Sequence, residues 1–301
     1  MTLNSAHLIV NPVAGQTAAP FDEFSQFMQA VNADTCLHIT TPEFGAPYYA
    51  QKARDNGADL VIAYGGDGTV MEVVNTLHGS DIPVGIVAGG TANVIAHELG
   101  IPLNAKEALD FIAQDNSEIQ WLDAGKTENF YFLLRMGIGW EAEVSQRPTT
   151  ETKEQWGTLA YAQAALRALI DLDPVTYTLT LDDEEVVVDG INCSICNIGN
   201  VGLYDVGISI DIKPDDGYLD VMVLQNKNLQ GALDIAQNVL STALPMQLEE
   251  RLVRYRAKKI TIHPSDSQRV SHDGEAVRPD FPLEVECVPH YAKVLRPIKE
   301  S

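Results

Sequence analysis

The first 123 residues alternate short apolar segments with amphipathic segments of helical period. The apolar segments predict strands from His7 to Asn11, Cys36 to Thr40, Asp59 to Tyr64, Pro83 to Val87 and Ile119 to Leu122. The amphipathic segments predict helices from Phe21 to Val31, Pro47 to Asn56, Val70 to Leu77, Ala92 to Leu99 and Ala105 to Ala113. Such repetition predicts an α/β domain with a parallel sheet, whose ligands bind beyond the carboxyl ends of the strands.

The remaining residues show the period-two alternation that is typical of an antiparallel sheet or sandwich. It predicts strands from Phe130 to Met136, Val175 to Leu181, Glu185 to Cys196, Tyr218 to Leu224, Lys259 to Ile262 and Leu283 to Val288. Two predicted helices, Thr152 to Ile170 and Leu229 to Leu240, interrupt these strands. We therefore predict an α/β domain (1–123) and a mainly antiparallel β-sandwich domain (124–301), with a substrate cleft between them. Packing of the extreme C-terminus against the first domain is left open.

Charge and hydropathy restrict the partners of this chain. The formal net charge of -22 argues against nucleic acid, because binding phosphates requires clustered Lys and Arg. The chain has no run of about 18 apolar residues, which argues against a membrane-spanning helix. The N-terminus lacks the pattern of a secretory signal, so we expect a cytoplasmic protein.

Two local patterns have more than one interpretation. The dense basic stretch is either a solvated face beside a strand or a contact for phosphate or lipid headgroups. Its members are Arg251, Arg254, Arg256, Lys258 and Lys259. Cys193 and Cys196 have the spacing of a metal or redox motif, but their apolar strand context favours two small buried hydrophobic residues.

A glycine cluster with a central carboxylate, Gly65-Gly66-Asp67-Gly68, follows the third predicted strand. Glycines allow backbone N–H groups to approach a phosphate, and the next helix offers unpaired donors at its N-terminus. The carboxylate would repel a phosphate unless a divalent metal or a reacting proton lies between them. This combination indicates phosphoryl transfer.

Six segments of the chain occur in the order found in one enzyme family. They are Asn11-Pro12-Val13-Ala14-Gly15, the Gly65–Thr69 loop with Glu72 and Asn75, Gly90–Asn93, Gly137–Glu141, Pro214–Asp220 and Asp273-Gly274-Glu275. Through them the chain resembles bacterial lipid kinases of the diacylglycerol kinase catalytic family, whose relatives include sphingosine and ceramide kinases.

The resemblance implies a nucleotide domain, a lipid-substrate domain, and ATP and Mg2+ as cofactors. The positions it matches to nucleotide binding are Asn11, Thr41, Gly65, Gly66, Asp67, Gly68, Thr69, Glu72, Asn75, Gly90, Thr91 and Asn93. Structural roles remain open for four of them. Asn11 also fits an Asn-Pro turn, Thr41 fits the cap of a loop, and Glu72 and Asn75 fit purely structural positions.

The resemblance also implies three catalytic positions, Asp273, Asp67 and Glu275. It favours Asp273 as the general base that accepts the proton of the lipid hydroxyl, a nucleophile that needs such a base. The rival assignment makes Asp67 the base, with Asp273 and Glu275 binding the loop or a metal. His272 is a third, weaker candidate for the base.

Two magnesium sites follow from the same resemblance. Asp216, with backbone carbonyls of Lys213 and Tyr218, matches a structural Mg2+ site of oxygen ligands, although a metal-free turn is the alternative. Catalytic Mg2+ is expected with ATP near Asp67 and Asp123.

The chain departs from the family pattern beside the second glycine turn. Ala88 replaces a common proline, Val94 an acid and His97 an arginine. The last two changes remove one metal contact and one phosphate contact that relatives have available. They put the details of metal use and the substrate in doubt more than the fold.

The leading prediction is an ATP-dependent kinase that phosphorylates a hydroxyl of diacylglycerol or a related lipid. We expect its lipid substrate to be presented at a membrane surface, with transient peripheral association of the protein. A soluble NAD kinase shares the Gly-Gly-Asp-Gly loop and is the second reading. A non-catalytic sensor of nucleotide or lipid is the third, and a homodimer is left open.

Overall fold

The computed structural model describes residues 3–15, 18–114, 116–139, 142, 174–203, 206–209, 211–225 and 252–298. The chain divides into two compact units, Met1–Ala124 with Pro289–Ser301, and Gly125–Val288. The helices predicted from Thr152 to Ile170 and from Leu229 to Leu240 lie outside the described residues, as do Trp140, Glu141 and Arg251. Within the described part, no helix is both long and apolar enough to cross a membrane.

The first unit begins with alternating strands and helices. They are β1 (Ser5–Val10), α1 (Phe21–Ala30), β2 (Asp34–Ile39), α2 (Ala46–Asp55), β3 (Leu60–Gly65), α3 (Asp67–Leu77), β4 (Val84–Ala88), α4 (Val94–Glu98), α5 (Ala105–Ala113) and β5 (Ser117–Lys126). The strands that follow are β6 (Tyr131–Phe132), β7 (Arg135–Gly139), β8 (Val175–Leu181), β9 (Glu184–Gly190), β10 (Asn192–Cys196), β11 (Asn200–Leu203), β12 (Val206–Ser209), β13 (Leu219–Leu224), β14 (Leu252–Ala257), β15 (Lys259–Pro264), β16 (Val270–His272), β17 (Glu275–Val277) and β18 (Leu283–Pro297).

A parallel sheet forms the centre of the first unit. Its strand order is β2-β1-β3-β4-β18, and each of these neighbouring pairs is parallel. The central strands β1 and β3 are apolar almost throughout because both faces of a helix-covered sheet are buried. Their carboxyl ends, together with that of β4, lead into the loops that contain Asn11, Gly66 and Gly90.

Two large antiparallel sheets form the core of the second unit, beside the two-stranded antiparallel sheet of β11 and β12. One has the order β14-β13-β10-β7-β16-β17, and the other contains β9, β8, β15 and the start of β18. Side chains of both sheets share one buried cluster, including Ile138, Ile195, Val221, Tyr177, Ile260 and Val285. This is the packing of a β-sandwich, so the predicted combination of an α/β domain and an antiparallel β-sandwich is confirmed.

Two predicted strands are each divided in the structure. The segment from Phe130 to Met136 is interrupted between β6 and β7, where the N–H groups of Leu133 and Leu134 donate to the carboxylate of Asp273. The segment from Glu185 to Cys196 divides after Gly190. There the chain leaves the sheet in which β9 pairs with β8 and enters the sheet in which β10 pairs with β7 and β13.

The prediction that Cys193 and Cys196 are buried core residues is confirmed. Cys193 and Cys196 both lie on β10, are fully buried and form no disulfide. Cys193 packs in the sandwich core, whereas Cys196 packs in a separate cluster with Ile212 and Met222. Burial raises the pKa of the Cys193 thiol to about 12, so this thiol is protonated at neutral pH.

Candidate active site

Asn11 connects the loop after β1 to the first turn of α3. Its backbone N–H donates to the Tyr64 carbonyl at 3.0 Å, which extends the pairing of β1 with β3. Its side-chain Nδ2 donates to Oγ1 of the buried Thr69 at 3.1 Å. Asn11 therefore orders the loop after β1 against the Gly65–Thr69 segment, in addition to any contact with a ligand.

Glycines allow the loops after β1, β3 and β4 to approach each other through their backbones. Gly15 has a φ of +70°, and a Cβ at this position would overlap the carbonyl oxygen of Gly89. A Cβ on Gly90 would lie 2.5 Å from the Cα of Gly66. The N–H of Gly89 also donates to the carbonyl of Gly65 at 2.8 Å. Larger residues at these positions would force the three loops apart.

Replacing Gly90 with alanine should therefore destabilise this loop assembly. We expect the free energy of unfolding to fall by about 1–3 kcal/mol, because the added methyl group meets backbone atoms of Gly66 that have no rotamer to change. Denaturant unfolding measures this effect. Gly68→Ala is the matched control because a Cβ at Gly68 meets no atom within 4 Å, and equal stability losses in both variants would contradict the prediction.

Asp67 connects two helices of the first unit. It is the first residue of α3, and its Oδ2 and Oδ1 accept the N–H groups of Val94 and Ile95, each at 3.1 Å. Val94 and Ile95 are the first two residues of α4. The N–H groups at the start of a helix have no partner within that helix, so the carboxylate satisfies two of them. Each oxygen retains a second lone pair, which is compatible with binding Mg2+ directly or through water.

Asn93 fixes the conformation of the second glycine turn. It adopts the left-handed conformation with a φ of 48°, which asparagine tolerates better than most residues. Its side chain accepts the N–H of Gly90 at 2.9 Å and donates to the Gly90 carbonyl at 2.8 Å. Thr91, which follows Gly90 in this turn, is exposed.

The structure gives specific contacts to the other predicted residues of the first unit. Thr41 Oγ1 accepts the N–H of Phe44 at 3.1 Å, which corresponds to the loop-capping reading. Asn75 accepts a hydrogen bond from the Tyr291 hydroxyl at 2.9 Å, while Glu72 on the same helix is exposed. Asp123 is fully buried, and its Oδ1 accepts the N–H of His290 at 2.8 Å.

In the second unit, Asp273 lies at the tip of the β16–β17 hairpin. Asp273 and Gly274 form the two-residue loop and have φ values of 46° and 88°, as a type I′ turn requires. The Asp273 carboxylate accepts the backbone N–H groups of Leu133, Leu134 and Arg135 at 2.8, 3.0 and 2.9 Å. These bonds fix the position of the carboxylate.

The two neighbours of this turn differ in their environment. His272 stacks on Phe130 with the ring centroids 4.0 Å apart, and its buried Nδ1 has no hydrogen-bond partner. Burial lowers the pKa of His272, and the charge of Glu275 opposes this shift only partly. Glu275 itself is exposed on β17. Among His272, Asp273 and Glu275, the described contacts therefore show only Asp273 held by several backbone N–H donors.

The Asp216 side chain is already paired with a positively charged side chain of the protein. Asp216 Oδ2 forms an ion pair with Arg256 at 2.6 Å, and its Oδ1 accepts the N–H of Tyr218 at 3.2 Å. The guanidinium of Arg256 also lies over the Tyr218 ring, 4.7 Å from its centroid. A Mg2+ ion bound by Asp216 with the carbonyls of Lys213 and Tyr218 would have to compete with this arginine. The residues therefore fit a metal-free turn better, and we assign no functional step to Mg2+ here.

Two arginines of the basic stretch are paired with acidic residues. Arg254 pairs with the buried Asp220, and Arg256 with Asp216. Both arginines lie on β14, a strand that was not predicted from the sequence because this segment is rich in charged residues. Within the described residues these two charges are locally neutralised, which weakens the interpretation of the stretch as a headgroup contact.

Together these features define a class of protein: a parallel α/β unit with glycine loops beyond its strand ends, joined to an antiparallel β-sandwich. Residues 5–125 match the family model "Diacylglycerol kinase catalytic domain". Residues 135–296 match the model "YegS C-terminal NAD kinase beta sandwich-like domain". The chain therefore belongs to the diacylglycerol kinase catalytic-domain family, and the resemblance drawn from the six segments is confirmed.

Relatives in several bacteria support this assignment. A diacylglycerol kinase of Mycobacterium tuberculosis is 31% identical over 252 residues, with 80% of this chain and 78% of the relative covered. A diacylglycerol kinase of Bacillus subtilis is 26% identical, with 91% and 90% covered. A crystal structure of a diacylglycerol kinase from Bacillus anthracis str. Sterne has a TM-score of 0.71 at 21% identity and 98% coverage of both chains, which shows a shared fold.

Proposed function

We propose that this protein is an ATP-dependent lipid kinase that transfers the γ-phosphoryl group to a hydroxyl of diacylglycerol or a related lipid. The observation that carries the proposal is the backbone-to-backbone packing of Gly15, Gly89, Gly66 and Gly90 at the carboxyl ends of three parallel strands. Ligands of parallel sheets bind at such ends. Membership of the diacylglycerol kinase family supports the reaction and the lipid substrate class.

In this proposal the glycine loops bind the nucleotide phosphates. Gly66 precedes α3, and Asp67, Gly68 and Thr69 form the first turn of this 11-residue helix, whose N-terminus favours an anion. Asp67 and the buried Asp123 are the candidate Mg2+ ligands of this unit. When bound, Mg2+ neutralises the charge of the phosphates during transfer. Asn11, Asn93 and Asp67 maintain the loop positions through the hydrogen bonds described above.

We assign the general base to Asp273. A base must be positioned to accept the proton of the attacking hydroxyl, and the three backbone N–H groups orient this carboxylate. We assign Asp67 to the nucleotide side instead, because it begins α3 beside the glycine loops that are proposed to bind the phosphates. We assign Glu275, which lies on the same hairpin as Asp273, a supporting role in this proposal.

Gly68→Ala is expected to weaken nucleotide binding without lowering the stability of the fold. The methyl group enters open space on α3, and alanine is the better helix former, so the free energy of unfolding should stay equal or rise by about 0.5 kcal/mol. If phosphates approach the backbone here, nucleotide affinity should fall about tenfold or more, since the methyl group occupies that space. Calorimetric titration with ATP measures the affinity. Unchanged affinity would place the phosphates elsewhere.

A kinase assay with a broad acceptor panel tests the proposed function. The protein is incubated with ATP and Mg2+ in mixed micelles that contain diacylglycerol, ceramide, sphingosine or monoacylglycerol, and NAD is tested in solution. We expect a phosphorylated lipid, with diacylglycerol among the best acceptors. No phosphorylated lipid from any member of the panel would contradict the proposal.

The NAD kinase reading keeps one specific support, because the model matched by the second unit is described as NAD kinase β-sandwich-like. Formation of NADP without lipid phosphorylation would favour it. The sensor reading depends on Val94 and His97, and in the structure Val94 contributes a backbone N–H, which any residue except proline supplies. Nucleotide binding without turnover on any acceptor would favour the sensor.

A further inference from the structure

Three side chains with metal-binding atoms lie together on the parallel sheet of the first unit, within strands rather than in the glycine loops. The register of β1 and β2 pairs His7 with Cys36 and Ile9 with His38. Because side chains alternate along a strand and paired residues share a face, His7, Cys36 and His38 all lie on one face. Their ligand atoms lie within 4.8 Å of one another.

The spacing of the two imidazoles is close to what a shared metal requires. Nδ1 of His7 lies 3.0 Å from Nε2 of His38. Two nitrogens bound to one tetrahedral Zn2+ are about 3.3 Å apart, given Zn–N bonds of about 2.0–2.1 Å. The observed separation is thus a few tenths of an ångström shorter than that of a metal-bound pair.

Burial differs among the three residues in a way that suits a metal site. His7 is 3% exposed and is the only polar residue among the five from Ala6 to Val10 in β1. Cys36 is exposed on β2, which is the edge strand of the first unit's sheet. The cluster thus combines a buried imidazole with a thiol that an ion can reach from solvent.

A neighbouring ring orients His38, and Lys52 acts electrostatically on both imidazoles. The ring of Tyr49 on α2 stacks on His38, with centroids 4.8 Å apart and an interplanar angle of 22°. Lys52 disfavours a cation at this place, and a Cys36 thiolate would offset its charge.

We propose that His7, Cys36 and His38 bind a Zn2+ ion, with a fourth position open to solvent. Two imidazoles and a thiolate are borderline and soft ligands, which favour Zn2+ over Mg2+. On binding, the Cys36 thiol releases its proton to solvent, and the proton shared between His7 Nδ1 and His38 Nε2 moves to the other nitrogen of the ring that carries it. The sulfur and the two ring nitrogens then each donate an electron pair to the metal, without any change of oxidation state. The ion would connect the edge strand β2 to β1.

Cobalt substitution of the full, untagged and reduced chain tests this site. After chelator treatment, we expect a single equivalent of Co2+ to produce the near-ultraviolet absorption of a thiolate–cobalt bond, and Zn2+ to displace it. Competition with a chromophoric chelator gives the zinc affinity. Cys36→Ser should abolish the absorption and weaken zinc binding on the order of 100-fold, because a thiolate ligand is lost.

His38→Gln should weaken zinc binding to a similar extent, whereas His263→Gln should leave it unchanged. His263 is a matched control because its imidazole is exposed on β15 of the second unit. Circular dichroism verifies that each variant is folded, and the exposed Cys36 decides the test if His38→Gln is unstable. No thiolate–cobalt absorption in the wild type, or equal zinc affinity in wild type and Cys36→Ser, would overturn the proposed site of His7, Cys36 and His38.

Discussion

Replacing Asp273 with asparagine is expected to lower kcat for lipid phosphorylation by about 1,000-fold, the scale of a lost general base. The side chain also accepts the N–H groups of Leu133, Leu134 and Arg135. The side-chain amide of an asparagine would turn its own N–H groups toward at least one of these backbone N–H groups. Two donors would then face each other, and that hydrogen bond would be lost. We therefore also expect the free energy of unfolding to fall by about 1–3 kcal/mol. Steady-state kinetics and denaturant unfolding measure the two effects separately.

Two companion variants separate chemistry from loop structure. Glu275→Gln removes a charge from the same hairpin at an exposed position and should keep both stability and most of the activity. His272→Gln tests the neighbouring imidazole, whose pKa is lowered by burial. If Asp273 is the base, the acidic limb of the profile of kcat against pH should persist in His272→Gln. A folded Asp273→Asn protein with kcat within tenfold of wild type would rule out this role.

Replacing Asp67 with asparagine should also lower kcat/KM for ATP by about 1,000-fold, but for a different reason. The change removes the negative charge proposed to bind Mg2+, and such charge-stabilising groups contribute on the order of 100- to 1,000-fold each. It also places an amide against the N–H groups of Val94 and Ile95, one of which would lose its acceptor. We therefore expect nucleotide affinity and turnover to fall together.

The effect of Asp67→Asn should depend on Mg2+ concentration, since weakened metal binding is partly restored by mass action. Activity is measured over a range of Mg2+ concentrations in the wild type, in Asp67→Asn and in Asp110→Asn. Asp110 is the control because its exposed carboxylate pairs with Lys106 one turn away on α5, and such surface pairs contribute little. Unchanged ATP affinity together with a lost kcat would instead identify Asp67 as the base.

The glycine loops were predictable because their signal is local. Strand, glycine turn and helix follow one another between Leu60 and Leu77, and the structure has β3 and α3 in this range. The helix from Ala105 to Ala113 and the strand from Val175 to Leu181 have the predicted bounds. Local periodicity and turn residues were sufficient for these elements.

The contacts of the two aspartates were not predictable, because their partners are distant in sequence and belong to the backbone. Asp67 accepts from residues 27 and 28 positions away, and Asp273 from residues 138 to 140 positions away. Any residue except proline supplies a backbone N–H, so Leu133 and Val94 carry no recognisable signal. The strand β14 was missed for a related reason, because its arginines are paired with acids on other segments.

The cluster of His7, Cys36 and His38 shows the same limit. Cys36 and His38 follow His7 by 29 and 31 positions in the sequence, and nothing in either segment marks them as neighbours of His7. The parallel register of β1 and β2 brings them to one face. By itself the sequence determined the alternation of strands and helices, the glycine loops and the family, since these depend on residues that are close along the chain. Only the tertiary structure decided which backbone groups bind Asp67 and Asp273, and which side chains meet across two strands, because these depend on strand register and on turns far apart in sequence.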